Sequence, residues 1–400
     1  MADAWHGYPP MQQQLVTSSS QLLSHFKDGS SETEEFKQNK KQPQQEEALN
    51  QMANSVFGEG NLLRFGSQNR IRPLYDTFEA SGPNGKHTCL VHPPMHITLL
   101  GFMQRLPNRR LDKHILRLTV KYLLNALDFL HTEAKVVHTG QFAIHGYMFE
   151  TNRANKTQDL KADNIMLSVA DKSVLDDYVN TEVNDPSPRK IVDDVRTIYT
   201  SRPLRTPADS NWGPPFLCDF GEARIGETHR MKALGDTQPH VYRAPEVTFR
   251  MTWGPSIDIW NFANLVWLPG LRYFGLYPTN SPQIWDLLEP DRLFPNIHRG
   301  KVYCPYKHMA KIVSVLGPPP KVFISRSEDT HNCFDSEGNW TPKEAEEIPS
   351  YRLEDSETAL EGRERDLFLQ FIRSMLTWLP EHRKTAKELL DDPWLNNKID

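Results

Sequence analysis

The sequence predicts an α+β protein in which a short β-rich part precedes a larger, mainly helical part. Two short stretches, 72–79 and 87–92, are predicted to be strands because turn residues separate them. Further along, leucines recur at a 3.6-residue period through residues 111–131, which indicates an amphipathic helix. A chain of 400 residues is long enough for one large domain or two lobes with ample core.

The β-rich part is predicted to be a hairpin. Between its strands, residues 81–85 (SGPNG) combine Gly, Pro and Asn, which favour a tight turn. Pro93 and Pro94 end the second strand, because proline cannot donate a hydrogen bond to a strand ladder.

The helical part contains several predicted helices. The apolar period of the first is set by Leu111, Ile115, Leu118, Leu123, Leu124, Leu127 and Leu130. Residues 256–267 are apolar on most sides and predict a buried helix. Residues 308–316 predict a helix that a proline run ends. The apolar period also predicts closing helices at 366–376 and 386–395.

Composition narrows the class of protein. With 38% hydrophobic and 24% charged residues, the chain has the balance of an ordinary soluble globular protein. The net charge of −5 provides no overall basic surface, so we expect no direct nucleic-acid partner. The most apolar window, 257–276, contains charged residues and a proline, so we expect no membrane association.

The N-terminal residues and the cysteines bear on location. Residues 1–59 are rich in Gln, Ser, Lys and Glu, and we expect a disordered, low-complexity N-terminus without a secretory signal. Cys89, Cys218, Cys304 and Cys333 lack C-x-x-C spacing. The absence of this spacing argues for a reducing compartment and against a disulfide framework or zinc site. The expected location is cytoplasmic and/or nuclear.

Three short motifs follow one another along the chain: 159–164 (DLKADN), 219–221 (DFG) and 244–246 (APE). Together with residues 258–260 (DIW) and Arg383, they resemble the signature of eukaryotic protein kinases. Phosphoryl transfer needs such a set. Magnesium, held by a carboxylate and an amide oxygen, must screen the charge of ATP, and a second carboxylate must meet the incoming hydroxyl.

The resemblance implies a role for each matching residue. Asp159 would be the catalytic base, and Lys161 would lie near the transferred phosphate. Asn164 and Asp219 would bind the metal and, through it, the nucleotide. The implied cofactors are ATP and Mg²⁺.

The end of the second predicted strand has a further implied role. In kinases this strand leads into the hinge, where backbone groups bind adenine. Leu90, Val91 and His92 would then lie close to the nucleotide. The alternative is that these residues form an ordinary strand end.

The resemblance also implies a protein-kinase-like bilobal fold. We expect a truncated N-terminal β lobe, with residues 60–95 as its remnant, and a mainly helical C-terminal lobe over residues 96–396. A complete small lobe has a G-x-G-x-x-G loop and a V-A-I-K strand, and the sequence shows neither. The alternative function is therefore a catalytically impaired pseudokinase or kinase-fold binding module. On that reading, the chain as written transfers phosphate poorly.

Two segments interrupt the kinase pattern. Residues 140–158 separate His138 and Thr139 from Asp159, and residues 268–285 interrupt the predicted buried helix. Because excising either restores a continuous pattern, one hypothesis is that both are retained introns. The rival hypothesis is a genuine family-specific insertion. Sequencing the mature transcript separates the two.

Several stretches resemble the fungal branch of the SR-protein-kinase-like family, over roughly residues 70–396. They are His138-Thr139 before the catalytic Asp, residues 186–204, residues 213–221 and residues 238–246. The resemblance implies a serine/threonine kinase with protein substrates of the Arg/Ser-rich class, and we expect a monomer. Acidic positions between the motifs could attract basic peptides or simply form a solvated loop; they are Asp176, Asp177, Asp185, Asp193 and Asp194.

Two further positions carry expectations. Thr139 stands where many kinases have an Arg that binds a phosphorylated activation loop, so its presence predicts activity without loop phosphorylation. Glu246 and Arg383 resemble the buried pair that ties the activation segment to the lower part of the large lobe.

Overall fold

The computed structural model describes residues 70–82, 85–106, 111–139, 164–193, 197–221, 223–230, 238, 240–267, 293–294, 296–300, 302–344, 346–357 and 359–396. The chain divides into two compact units. The first comprises Met1–Thr98 and Met166–Gly221, and the second comprises Leu99–Ile165 and Glu222–Asp400. Each unit is described by itself below.

The strands are β1 (Asp76–Gly82), β2 (Gly85–Val91), β3 (Met95–Thr98), β4 (Val136–Val137), β5 (Ile165–Ser168), β6 (Arg189–Ile191), β7 (Thr197–Tyr199), β8 (Pro215–Leu217), β9 (Arg224–Ile225), β10 (His229–Arg230), β11 (Thr252–Trp253), β12 (His298–Arg299) and β13 (Val302–Tyr303). The α-helices are α1 (Leu99–Arg105), α2 (Lys113–Thr132), α3 (Ser173–Asn184), α4 (Pro245–Thr248), α5 (Ser256–Trp267), α6 (Pro305–Leu316), α7 (Lys321–Ile324), α8 (Leu353–Ser356), α9 (Gly362–Met375), α10 (Ala386–Leu390) and α11 (Pro393–Asn396). Within the described ranges, no helix is long and apolar enough to cross a membrane.

The predicted hairpin is confirmed in the first unit. Strands β1 and β2 pair antiparallel from Asp76 opposite Val91 to Gly82 opposite Gly85. The strand begins later than residue 72, because the preceding residues pair elsewhere. Arg72 N donates to Leu217 O at 3.0 Å, and Leu217 N donates to Arg70 O at 2.7 Å. The chain before the hairpin therefore pairs with the end of β8 instead, in a parallel bridge between Ile71 and Leu217.

A three-stranded sheet, in the order β3–β5–β8, forms the other main element of this unit. Ser168 N donates to Pro214 O at 3.0 Å where the end of β5 meets the start of β8. Gly213 is required at this approach, because an added Cβ would lie 2.3 Å from Ser168 Oγ and 2.4 Å from Ser168 O.

The segment between β5 and β8 is more ordered than the sequence indicated. The acidic positions Asp176 and Asp177 lie on helix α3, so the expectation of a solvated loop was wrong for them. Asp171 lies just before this helix, and its Oδ1 accepts from Ser173 N, the first helical N–H, at 3.0 Å. Strands β6 and β7 then form an antiparallel hairpin. The low apolar content of this segment concealed the helix from an argument based on periodicity.

Helix α2 organises the start of the second unit. Asp112 is its N-cap and accepts from His114 N and Ile115 N. The predicted helix is confirmed, but two of its predicted core positions, Ile115 and Leu118, are 36% and 41% exposed. The buried positions are Leu116, Thr119, Val120, Leu123, Leu124, Ala126, Leu127 and Leu130.

Helix α5 is the central element of the second unit. It begins at Ser256, as the sequence predicted, and is described as far as Trp267. Its side chains are buried on several faces, including Ile257, Trp260 and Val266 at 0% exposure. A helix that is apolar around most of its circumference belongs in a core. The segments 140–158 and 268–285, and the N-terminal residues 1–59, lie outside the described residues.

The C-terminal elements differ from the prediction in two respects. The first closing helix, α9, begins at Gly362 rather than at residue 366. Residues 386–395 form two short helices, α10 and α11, rather than one. Thr385 and Glu388 make a capping box at the start of α10, and Asp392 Oδ1 accepts from Trp394 N at 3.0 Å to start α11. Apolar periodicity continues across this break, which is why the sequence indicated a single helix.

Candidate active site

The chain approaching the predicted catalytic loop is fixed in the second unit. Strand β4 is buried and pairs with β9, with Val136 opposite Ile225 and Val137 opposite Arg224. The next two residues, His138 and Thr139, are 6% and 1% exposed. The backbone entering the loop is therefore held inside the protein.

Asp258, at the start of α5, is the anchor of this backbone. It is 4% exposed, and its Oδ2 accepts from His138 N at 2.8 Å while its Oδ1 accepts from Thr139 N at 2.9 Å. His131 Nε2 lies 3.0 Å from Oδ2 and adds a third contact. Charge-assisted bonds of this kind are stronger than neutral ones. A single carboxylate thus joins α2, the loop entrance and α5.

Asp159 and Lys161, the predicted base and phosphate-side residue, lie outside the described residues. Description of the chain stops at Thr139 and resumes at Asn164. Their assignment stays a prediction.

Asn164 lies directly before strand β5 and is 7% exposed. The strand Ile165–Ser168 therefore begins at the residue after this side chain. An amide oxygen is a hard ligand of the kind that Mg²⁺ accepts.

Asp219 has an exposed side chain in a constrained turn of the first unit. Its φ is 63°, a left-handed conformation that costs a non-glycine residue about 1–2 kcal/mol and that Asp tolerates better than most. The neighbouring Cys218 and Phe220 are 5% and 7% exposed. Asp219 Oδ1 accepts from Gly221 N at 3.4 Å. The two buried neighbours hold the carboxylate outward.

The predicted hinge residues occupy the end of β2. Val91 O accepts from Tyr75 N at 2.7 Å, so this carbonyl is used in the hairpin. His92 Nδ1 lies 2.8 Å from Pro73 O. Burial, followed by the charge of Arg72, lowers the pKa of His92 to about 4, so the ring is neutral at pH 7. Leu90 is half-buried opposite Thr77. That Leu90, Val91 and His92 bind adenine stays a prediction.

Gln238, before the APE motif, is a positioning residue that the sequence did not reveal. It is 1% exposed with φ 63°. Its Nε2 donates to Ile257 O at 2.9 Å, its Oε1 accepts from Ala244 N at 2.9 Å, and its O accepts from Arg243 Nη2 at 3.0 Å. One side chain therefore fastens the end of the activation segment to α5. Its only signal in the sequence is proximity to the APE motif.

The predicted pair of Glu246 and Arg383 is confirmed. Nη1 and Nη2 of Arg383 donate to Oε1 and Oε2 of Glu246 at 2.6 and 2.8 Å, and the two side chains are 0% and 1% exposed. Arg383 also donates to Ser256 O at 3.0 Å and to Thr377 O, and its guanidinium lies 4.9 Å from the Trp260 ring centroid. The pair joins the APE motif to the C-terminal helices.

Comparison with curated proteins identifies the family. Over 326 residues the chain is 37% identical to a serine/threonine protein kinase of Aspergillus fumigatus, covering 81% of this chain and 69% of the relative. The chain belongs to the serine/threonine protein kinases. The kinase is also 25% identical over 346 residues to the serine/threonine-protein kinase SRPK of Physarum polycephalum, covering 80% of this chain and 70% of that protein. No family model matches it.

A third relative supports the SR-protein-kinase-like assignment. SRSF protein kinase 3 of Mus musculus is 29% identical over 189 residues, which cover 45% of this kinase and 28% of that protein. The kinase family carries a bilobal fold of mixed helix and sheet, and the described elements are of both kinds. The predicted family and its kinase function are therefore confirmed.

The kinase has a cluster of three rings beside its activation segment, in which His308 is fully buried and His240 and Tyr303 are half-buried. The rings of His240 and Tyr303 stack at 4.0 Å, and the Tyr303 hydroxyl shares a hydrogen bond with His308 Nδ1 at 3.0 Å. Burial, then the nearby charge of Arg243, lowers the pKa of His240 to about 4 and that of His308 to about 3. Burial also raises the pKa of Tyr303 to about 12.

Acidification should destabilise the kinase through these histidines. His308 is protonated below about pH 6.5 in the unfolded state but only below about pH 3 in the folded state. Between these pH values the unfolded state binds one more proton, so the free energy of unfolding falls as the pH is lowered. At pH 5, His308 alone should cost about 2 kcal/mol. Urea unfolding at pH 7 and pH 5 measures this. A His308→Gln variant, which does not titrate, should lose less between the two pH values; an equal loss would contradict the assignment.

The kinase should not need phosphorylation of its activation segment. Thr139 replaces the Arg that would bind the phosphate, and it is buried with its N–H bonded to Asp258. A Thr228→Ala/Thr237→Ala double variant should therefore keep kcat within about two-fold of the parent on an Arg/Ser-rich peptide. Phosphatase treatment of the parent is the control. Abolished activity in the double variant would show that loop phosphorylation is required.

Proposed function

We propose that this kinase transfers the γ-phosphate of ATP to Ser or Thr of proteins, with Asp159 as general base and Lys161 beside the transferred phosphate. Asn164 and Asp219 would hold Mg²⁺, and Leu90, Val91 and His92 would line the adenine side. The observation that supports this best is the Asp219 turn, in which two buried neighbours hold an exposed carboxylate outward at a conformational cost.

The residues fit the chemistry that the cofactors supply. A carboxylate oxygen and an amide oxygen suit Mg²⁺, which screens the phosphate charge when bound. The substrate hydroxyl oxygen attacks the γ-phosphorus as the bond to the β,γ-bridging oxygen breaks, and Asp159 accepts the hydroxyl proton. Asp258 supports this step indirectly, since it fixes the backbone of His138 and Thr139 at the loop entrance.

Arg/Ser-rich proteins are the proposed substrate class. The names of the Physarum and mouse relatives point to it. The exposed acidic side chains Asp176 and Asp177 on α3 would favour basic peptides. We also propose a monomer that is cytoplasmic and/or nuclear, and does not bind nucleic acid or membranes directly.

Labelled ATP tests the proposal. The purified chain with Mg²⁺ should phosphorylate an Arg/Ser-rich peptide, and Asp159→Asn or Asp219→Asn should lower kcat by about 100-fold or more. Asp209→Asn is a matched control, because Asp209 is also exposed with a left-handed φ of 51°. If Asp219→Asn behaves like Asp209→Asn, the metal assignment fails.

The second candidate is a pseudokinase or kinase-fold binding module. The absence of a G-x-G-x-x-G loop and a V-A-I-K strand from the sequence favours it, as does the proposed truncation of the small lobe over residues 60–95. Segments 140–158 and 268–285 remain proposed retained introns or insertions. Thermal stabilisation by Mg²⁺-ATP that depends on Asp219, without phosphate transfer, would select this candidate.

A further inference from the structure

The segment between β5 and β8 contains a serine whose surroundings do not belong to the proposed kinase site. Ser187 lies between Pro186 and Pro188 in the connection from α3 to β6. It is half-buried, whereas both prolines are exposed. We propose that Ser187 is a phosphorylation site for a proline-directed protein kinase acting in trans, and that the phosphate opens the ion pair beside it.

The sequence around Ser187 favours this class of modifying enzyme. Ser187 is followed by Pro188, Arg189 and Lys190. Because Pro188 has no backbone N–H, this position suits a modifying kinase that offers no hydrogen-bond acceptor there. The basic residues Arg189 and Lys190 suit a modifying kinase with an acidic substrate groove. The other Ser/Thr-Pro pairs begin at Thr206, Ser281 and Thr341, and none has a basic residue three positions after it. Ser187 is therefore the favoured acceptor.

Ser187 is bonded to a carboxylate. Glu182, in the last turns of α3, accepts from Ser187 N at 2.9 Å with Oε2 and from Ser187 Oγ with Oε1. Glu182 Oε1 also accepts from Arg202 Nε at 2.5 Å. Arg202 in turn donates to the backbone O of Asp185 and lies 3.5 Å from Asp185 Oδ2. Arg202 is thus the single cation that pairs with the carboxylates of Glu182 and Asp185 among these contacts.

A phosphate on Ser187 would overturn this balance. It adds about −1.5 to −2 charges where Oγ now donates to Glu182, so attraction becomes repulsion. Arg202 shares that same carboxylate oxygen, and guanidinium binds phosphate through two parallel bonds, so Arg202 should move from Glu182 to the phosphate. Negative charge at the C-terminal end of a helix is also unfavourable. The last turn of α3 should therefore loosen.

The modification step balances with ATP as the co-reactant. The Ser187 Oγ–P bond forms as the bond from the γ-phosphorus to the β,γ-bridging oxygen breaks. ADP leaves, and the hydroxyl proton passes to the base of the modifying kinase.

The test uses the full chain, ATP and a purified cyclin-dependent protein kinase. Tandem mass spectrometry should place phosphate on Ser187 and not on Thr206, Ser281 or Thr341. Amide hydrogen exchange over residues 178–202 should then become about ten-fold faster, because the bonds of Glu182 are lost. Ser187→Ala should take up no phosphate in this segment. Glu182→Gln, which removes the repelling charge, should keep most of its protection after phosphorylation.

Three outcomes would overturn the inference. Phosphate on Thr206, Ser281 or Thr341 but not on Ser187 would show that the basic residues do not select the site. Phosphate on Ser187 without faster exchange would show that the ion pair is not a switch. Phosphate on Ser187 in an arm with ATP alone would assign the modification to the chain itself.

Discussion

Replacing Arg383 with Met is expected to lower the free energy of unfolding by about 3–5 kcal/mol. The substitution leaves the Glu246 carboxylate buried at 1% exposure without its cation. The carbonyls of Ser256 and Thr377 also lose their donor. Urea denaturation followed by circular dichroism measures the change, and kcat should fall with it because the APE motif is no longer held.

A surface pair on the same unit provides the matched control. Arg326 donates to both carboxylate oxygens of Glu381, but the two side chains are 34% and 51% exposed. Water can replace this pair, so Arg326→Met should cost only about 0–1 kcal/mol. Equal losses in Arg326→Met and Arg383→Met would mean that burial does not set the value of the inner pair.

Asp258→Asn should lower both stability and turnover. The amide keeps one accepting oxygen, but its NH₂ group would face either His138 N–H or Thr139 N–H, two donors in contact. An unsatisfied buried N–H costs about 1–3 kcal/mol, and loss of the anionic acceptor weakens the remaining bonds. Because a shift of about 1 Å in a catalytic loop can cost about 100-fold, kcat should fall by that order. Denaturation and steady-state kinetics measure the two effects.

Asp392→Asn is the control that separates the effect of Asp258 on the catalytic loop from its effect on stability. Asp392 is 5% exposed and also accepts a backbone N–H, that of Trp394, but it lies at the C-terminal helices. This variant should lose stability while kcat per folded molecule stays near the parent value. The positioning role of Asp258 would be wrong if the two variants had the same ratio of kcat loss to stability loss.

Local chemistry explains which elements the sequence predicted. Helix α5 was predicted over its described length, Ser256–Trp267, because apolar side chains occupy most of its faces. The β1–β2 hairpin followed from its turn residues. Helix α3 was missed because it is mostly exposed, with Val174 as its buried residue, and has little apolar period to detect.

Long-range contacts explain what the sequence could not predict about the site. Asp258 was noted as part of a motif, but its bonds to His138 and Thr139 join positions about 120 residues apart, and no spacing rule covers that. The outward carboxylate of Asp219 likewise depends on which neighbours are buried. The sequence motifs therefore identify the candidate residues, whereas only the structure shows which contacts fix their positions.

The clamp made by Gln238 narrows the substitutions open to that position in evolution. A glycine there would relieve the left-handed backbone but abandon the side-chain bonds to Ile257 and Ala244. An asparagine would accept the backbone more readily but is one methylene too short to reach both partners. Neither glycine nor asparagine can therefore replace Gln238 without a second substitution on α5 or beside the APE motif.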